Sequence, residues 1–227
     1  MKGFVLIGGA ALTKHLGHRL SAGLDFACVE PTKHLPKPQI RELVNELAQA
    51  GLSFILSQDP ATIEEFDESG LDLDDYRQHF IADDVVKVSL VCYDPPMDLL
   101  LPGRRTDAVR VAKLDELLAT TAYACSARSS SRDWLDLYVL LTRQRYTFKD
   151  IYSVYQTINR MAAFASMTAR LRRCRPDAAD EGYVGLLTDP PSIGDLRNFF
   201  NHEIDGLEKQ LAKEAFSKHR LEGTGFL

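Results

Sequence analysis

Short apolar runs that stop at glycine alternate with amphipathic stretches over the first half of the chain. Residues 4–7 are apolar throughout and run into Gly8 and Gly9, the pattern of a buried strand entering a tight turn. Ala10 to Leu16 then reads as a helix stopped by Gly17, and Leu24 to Val29 as a second strand. Pro38 introduces a helix whose apolar residues Ile40, Leu43, Val44, Leu47 and Ala48 recur at helical spacing, with Gly51 closing it. Phe54 to Leu56 predicts a third strand. From Asp59 to Asp84, ten acidic residues face one basic residue, Arg77, with Pro60 and Gly70 interspersed, which predicts a solvated loop or hairpin. Phe80 and the alternation from Val85 to Tyr93 predict one or two further strands. Pro95, Pro96, Pro102 and Gly103 mark a loop, and Ala108 to Val111 a further edge strand.

Beyond this point the period changes. Leu114, Leu117, Leu118, Ala122 and Cys125 share one helical face, and Trp134, Leu135, Leu137, Tyr138 and Leu141 make a second stripe. Ile151, Val154, Tyr155, Ile158, Met161, Phe164 and Met167 continue it up to a basic cluster of Arg170, Arg172, Arg173 and Arg175. Residues 176–191 read as a loop and 193–216 as a long terminal helix. The predicted class is therefore α+β, with an α/β core over residues 1–112 and a helical region over 113–227 packed against it.

Composition narrows the functional classes. The net charge of −5 arises from an acidic excess confined to residues 1–131, so bulk charge does not make the chain a nucleic-acid binder. Cys28, Cys92, Cys125 and Cys174 lie far apart, without the spacing of a zinc site or a redox dithiol, and read as reduced, mostly buried thiols. The opening MKGFVLIGGAAL is too short for a signal sequence, and no run approaches the length of a membrane span. A cytoplasmic protein is expected.

The candidate chemistry sits at the first glycine turn. A strand, the pair Gly8 and Gly9, and a helix start present backbone N–H groups and a positive dipole end, which together can hold phosphate oxygens. Asp25, on the next strand, would face such a phosphate, and a bound Mg²⁺ could bridge the two. The same glycine pair can equally be a plain turn.

The wording of this stretch, GGAALTKHLGHRLSAGLDF, resembles the AbiEii/AbiGii nucleotidyltransferase toxin family, whose members read like GGTALxLxLGHRxSxDLDF. Val86-Lys87-Val88 with Leu90-Val91 looks like that family's KVD strand. Arg128, Arg132-Asp133-Trp134 and Asp136-Leu137-Tyr138 look like its RxxxRDxxDLY helix. The resemblance implies a nucleotidyltransferase-type mixed sheet with flanking helices, and transfer of a nucleotidyl group from an NTP to an acceptor such as RNA, with Mg²⁺ as cofactor. It also implies a bacterial toxin–antitoxin or phage-defence setting with a cognate antitoxin protein as partner. Site residues carried over are Gly8, Gly9, His18, Arg19 and Ser21 for the nucleotide, Asp25 for metal and catalysis, and Asp133 at the cleft. Relatives carry helices ahead of the first strand, so either this gene is shortened or another chain covers that surface.

The departures fall on polar positions. Of three carboxylates that hold two metal ions in the superfamily, the first is Gly23 here, the second is Asp25 and the third is Ser89. Ala10 replaces a hydroxyl residue, and Thr121 stands where a lysine is common. The alternative expectation is a catalytically inactive relative that binds a nucleotide or a protein partner. A replacement carboxylate could come from Asp94 or from the acidic stretch ending at Asp84. Arg19 could also pair with a carboxylate such as Asp133 or Asp136, Asp133 with Arg128 or Arg132, and the arginine cluster could meet RNA or complement a helix end.

Overall fold

A computed structural model describes residues 3–29, 34–93, 97–102 and 108–223. The chain divides into two compact units, Met1–Thr120 and Thr121–Leu227.

The first unit is a six-stranded mixed sheet with helices. In chain order it runs β1 (Phe4–Ile7), α1 (Gly8–Leu16), β2 (Gly23–Cys28), α2 (Lys37–Gln49), β3 (Phe54–Leu56), α3 (Pro60–Glu68), α4 (Leu73–Tyr76), β4 (Arg77–Ala82), β5 (Val86–Cys92) and β6 (Arg110–Val111). The spatial order is β3-β4-β5-β2-β1-β6. β2 lies antiparallel to β1 and parallel to β5, and β6 runs parallel to β1 at one edge. One face is apolar: Phe4, Cys28, Phe80, Val88 and Leu90 are buried together with Leu35 and with Ile40 of α2. Side chains of paired strands alternate between faces, so the residues between these face the other way.

The acidic stretch is not a loop or a simple hairpin. It folds as α3, α4 and β4, because several of its carboxylates accept backbone hydrogen bonds at helix starts. Asp59 accepts from Thr62 N at 3.1 Å, with Pro60 at the first helical position, and Asp72 accepts from Asp74 N at 2.9 Å. Hydrogen bonds from Thr62 hold the Asp59 carboxyl below its ordinary value. Only the connection from β4 to β5 is a tight hairpin, turned by Asp83 and Asp84, both at positive φ.

The second unit is helical. α5 (Leu114–Ala127) crosses the division, and α6 (Ser131–Arg143), α7 (Phe148–Thr157), α8 (Met161–Arg173) and α9 (Ile193–Gly223) follow. The stripe from Ile151 to Met167 is two helices rather than one, broken around Asn159, whose φ is 53°. α7 opens with a capping box between Thr147 and Asp150. Trp134, Leu137, Tyr155, Met167, Leu196 and Phe200 are fully buried. The terminal helix continues beyond residue 216. Residues 176–191 cap α6: Asp177 accepts from Ser129 N at 2.7 Å and Asp180 from Ser131 N at 3.1 Å.

Of the arginine cluster, Arg170 donates to Ser129 Oγ at 2.9 Å and Arg172 pairs with Asp205 at 2.7 Å and Glu208 at 3.0 Å. Both are spent within the helical unit. Among the described residues, no helix is long and apolar enough to cross a membrane.

Cys28, Cys125 and Cys174 are buried and Cys92 half-buried. Burial pushes the Cys174 thiol up to about 12 and holds Cys125 well above its ordinary value, so both stay protonated and unreactive at pH 8. Alkylation of the folded protein at that pH is expected to label Cys92 first, as read by peptide mass mapping; simultaneous labelling of all four would contradict the burial.

Candidate functional site

The site is built around the bend from β1 into α1. Gly8 has φ +64°, a conformation glycine enters freely, and it starts the helix directly after Ile7. A Cβ at Gly8 would lie 2.9 Å from Oδ2 of Asp25, so the carboxylate is turned into the bend. The register explains this placement, because Ile7 pairs with Asp25 across the β1–β2 ladder. Gly9 allows another close approach. A Cβ there would come within 2.3 Å of the Arg19 guanidinium, which therefore covers the start of α1.

Arg19 and His18 are buried, 8% and 7% exposed, and Arg19 Nη1 donates to Leu20 O at 2.8 Å. The turn carrying them is tied down by Thr13, which donates to Arg19 O at 2.9 Å, and by Gly17 N, which donates to Thr13 O at 2.8 Å. Ser21 Oγ donates to Gly23 O at 2.8 Å where β2 begins. Gly8, Gly9, Arg19 and Asp25 thus meet at one bend. His18 and Ser21 belong to the turn that leads from α1 into β2.

The strand register adds His79 to the positions that the linear sequence singled out. Asp25 of β2 pairs with Ser89 of β5, and Ser89 pairs with His79 of β4. These three residues share the sheet face opposite the apolar core, and His79 Nδ1 lies 3.1 Å from Ser89 Oγ. Burial holds the His79 imidazole below its ordinary value of 6.5; Arg77 adds to that effect and Asp25 opposes it. His79 is thus neutral at pH 7. On the same face, Gly23 pairs with Lys87 and Ala27 with Val91, which in turn pairs with Arg77.

His79 was missed because it sits in the acidic stretch. The signal available was the alternation of Arg77, His79 and Ile81 with Gln78, Phe80 and Ala82.

This donor set does not suit Mg²⁺. The ion keeps most of its waters unless several carboxylate or phosphate oxygens replace them. Across the row Gly23, Asp25 and Ser89, the described residues supply one carboxylate, one hydroxyl and no side chain at the third position. No group of three or more His, Cys, Asp or Glu among the described residues is arranged to hold a metal ion. Asp94 lies outside the described residues.

In the second unit, Asp133 sits in the first turn of α6, where Arg128 grips it through Nε at 2.7 Å and Nη2 at 3.0 Å. Asp136 is buried on the same helix, 3% exposed, and Thr121 is buried on α5. Trp134 is completely buried and Tyr138 stacks edge-on against Phe199, so both serve the helical core.

No curated protein sequence matches the chain. Among solved structures it is similar to MenT4, a nucleotidyltransferase toxin from Mycobacterium tuberculosis H37Rv, at 14% identity and a TM-score of 0.48, covering 87% of this chain and 74% of that one. The family model described as nucleotidyl transferase AbiEii toxin, type IV toxin–antitoxin system, matches residues 1–220. The chain belongs to the AbiEii nucleotidyltransferase toxin family.

Proposed function

We propose that this chain takes the triphosphate of an NTP on the polar face of β2, β5 and β4, beside the β1–α1 bend. Transfer of a nucleotidyl group to an acceptor such as RNA is at most slow. The observation that carries the reading is the Asp25 carboxylate turned into a bend that only glycines allow. Gly8 and Gly9 let the backbone come close to a ligand, while Arg19 supplies positive charge at that point. His18 and Ser21 hold the turn behind it, and Asp25 is the catalytic carboxylate, at the position where the family resemblance implies a metal ligand. Asp133 enters through the family resemblance as a cleft residue of the second unit, oriented by Arg128. A cognate antitoxin is the protein partner, within a toxin–antitoxin or phage-defence system.

The inactive reading, a relative that binds nucleotide without chemistry, is favoured by the donor set. Gly23 and Ser89 leave a single carboxylate where the superfamily uses three, and the loss of several polar groups that act together is expected to reduce turnover steeply.

The test measures thermal stability of the native protein with each NTP, alongside incorporation of labelled NTP into RNA. A ligand present at 100 times its dissociation constant stabilises by about 2.7 kcal/mol, so binding registers as a clear rise in the midpoint. The expected outcome is such a rise, with transfer that is weak or undetectable and that disappears in Asp25→Ala. Robust transfer by the native protein, abolished by Asp25→Ala, would overturn the inactive reading. No effect of any NTP on stability would overturn nucleotide binding itself.

A further inference from the structure

Among the described residues, the sheet face around Asp25 carries the cations Lys87 and Arg77. Lys87 stands beside Gly23: a Cβ at residue 23 would lie 3.1 Å from Lys87 Cβ and 2.6 Å from Lys87 O. At the other end of the same face, Arg77 lies two residues before His79 along β4, and its Nε is buried with no hydrogen-bond partner among the described residues. Between the two cations lies the row Asp25, Ser89 and His79, with the Ser89–His79 contact at 3.1 Å. Lys87 and the strand partner of Arg77, Val91, are four residues apart on β5, which is about 13 Å at the usual rise per residue. Two long cationic side chains across that span suit a polyphosphate better than they suit a dication.

We propose that this face binds a nucleotide's triphosphate directly through Lys87 and Arg77, with hydrogen bonds from the Ser89–His79 pair, and without a divalent metal ion. The inference rests on the nucleotide reading given above and goes further than it. A face with one carboxylate and two cations attracts a free polyphosphate more strongly than one whose charge is partly neutralised by bound Mg²⁺. Asp25 then opposes the ligand rather than holding its metal, so its removal acts in opposite directions under the two schemes.

The experiment is calorimetric titration of the full chain with each of the four NTPs and with inorganic triphosphate, once in EDTA and once in excess Mg²⁺. It is repeated for Lys87→Gln, Arg77→Gln and Asp25→Asn, each variant first checked for native circular dichroism and melting. The expected result is binding in EDTA that weakens when Mg²⁺ is added. Lys87→Gln and Arg77→Gln should each weaken it by about tenfold or more, the loss of one charge-assisted hydrogen bond. Asp25→Asn should tighten it, because the carboxylate opposes the polyphosphate. Binding that needs Mg²⁺ and is lost in Asp25→Asn overturns metal-free recognition while leaving the nucleotide reading in place. Equal affinity in the native protein and in both cation variants also overturns it. Absence of NTP binding in either buffer overturns the nucleotide reading, and this inference with it.

Discussion

Glu116→Ala is expected to lower the unfolding free energy by about 3–5 kcal/mol, the usual consequence of leaving a buried charge without its partner. Glu116 is 3% exposed and takes a two-pronged hydrogen bond from Arg110, at 2.6 and 2.8 Å. Its carboxylate also accepts from Lys113 N at 2.8 Å, the side-chain-to-backbone half of a capping box at the start of α5. One side chain therefore ties edge strand β6 to the helix that follows it. β6 in turn pairs with β1, the strand that runs into the glycine bend. Urea denaturation measures the loss. Arg110→Ala/Glu116→Ala should recover part of it, because the double variant leaves no stranded cation. A loss below about 1 kcal/mol for Glu116→Ala, the size of a surface pair, would show that the pair is not structurally important.

Gly23→Asp, which would restore an acidic residue at the first family position, is expected to destabilise the sheet by about 2–3 kcal/mol. The reason is contact with main chain: a Cβ at residue 23 would sit 2.6 Å from the carbonyl oxygen of Lys87, and a backbone atom in a paired strand cannot swing aside as a side-chain end can. β2 and β5 would have to part locally, next to Asp25. Ser89→Asp meets no such obstacle at its backbone, and it places a second carboxylate directly across the β2–β5 ladder from Asp25. Ser89→Asp alone should therefore fold like the native protein and make NTP binding respond favourably to Mg²⁺. Adding Gly23→Asp should lower the melting midpoint before it improves chemistry. A Gly23→Asp protein as stable as the native one would mean that the close approach of the two strands carries no cost.

The sequence reading succeeded where the signal was local. Residues 4–7 with Gly8 and Gly9 predicted the strand and bend, and the switch to helical spacing after Ala112 matches the helices that follow it. It failed over most of Asp59–Asp84, where a high acidic content was read as a solvated loop or hairpin and only Phe80 as part of a strand, whereas α3, α4 and β4 form there. The pairs Asp59–Pro60 and Asp72–Leu73 are helix starts, and the charge there caps backbone N–H groups instead of marking disorder. His79 went unseen because the strand was recognised only from Phe80, so the alternation that places His79 on the opposite face was not assigned. The break at Asn159 was missed because two helices joined by a short turn can keep their apolar residues nearly in phase.

The amino-acid order alone determined the family, the α+β class and the glycine bend, since each is written in contiguous residues and their spacing. Only the folded chain decided what surrounds Asp25: Lys87 beside Gly23, His79 against Ser89, and the Arg19 guanidinium over Gly9. These neighbours come from strand register and from close backbone approach. Both are set by which side chains share the buried face of the sheet, and that burial brings together residues distant in the chain without leaving a local pattern to read.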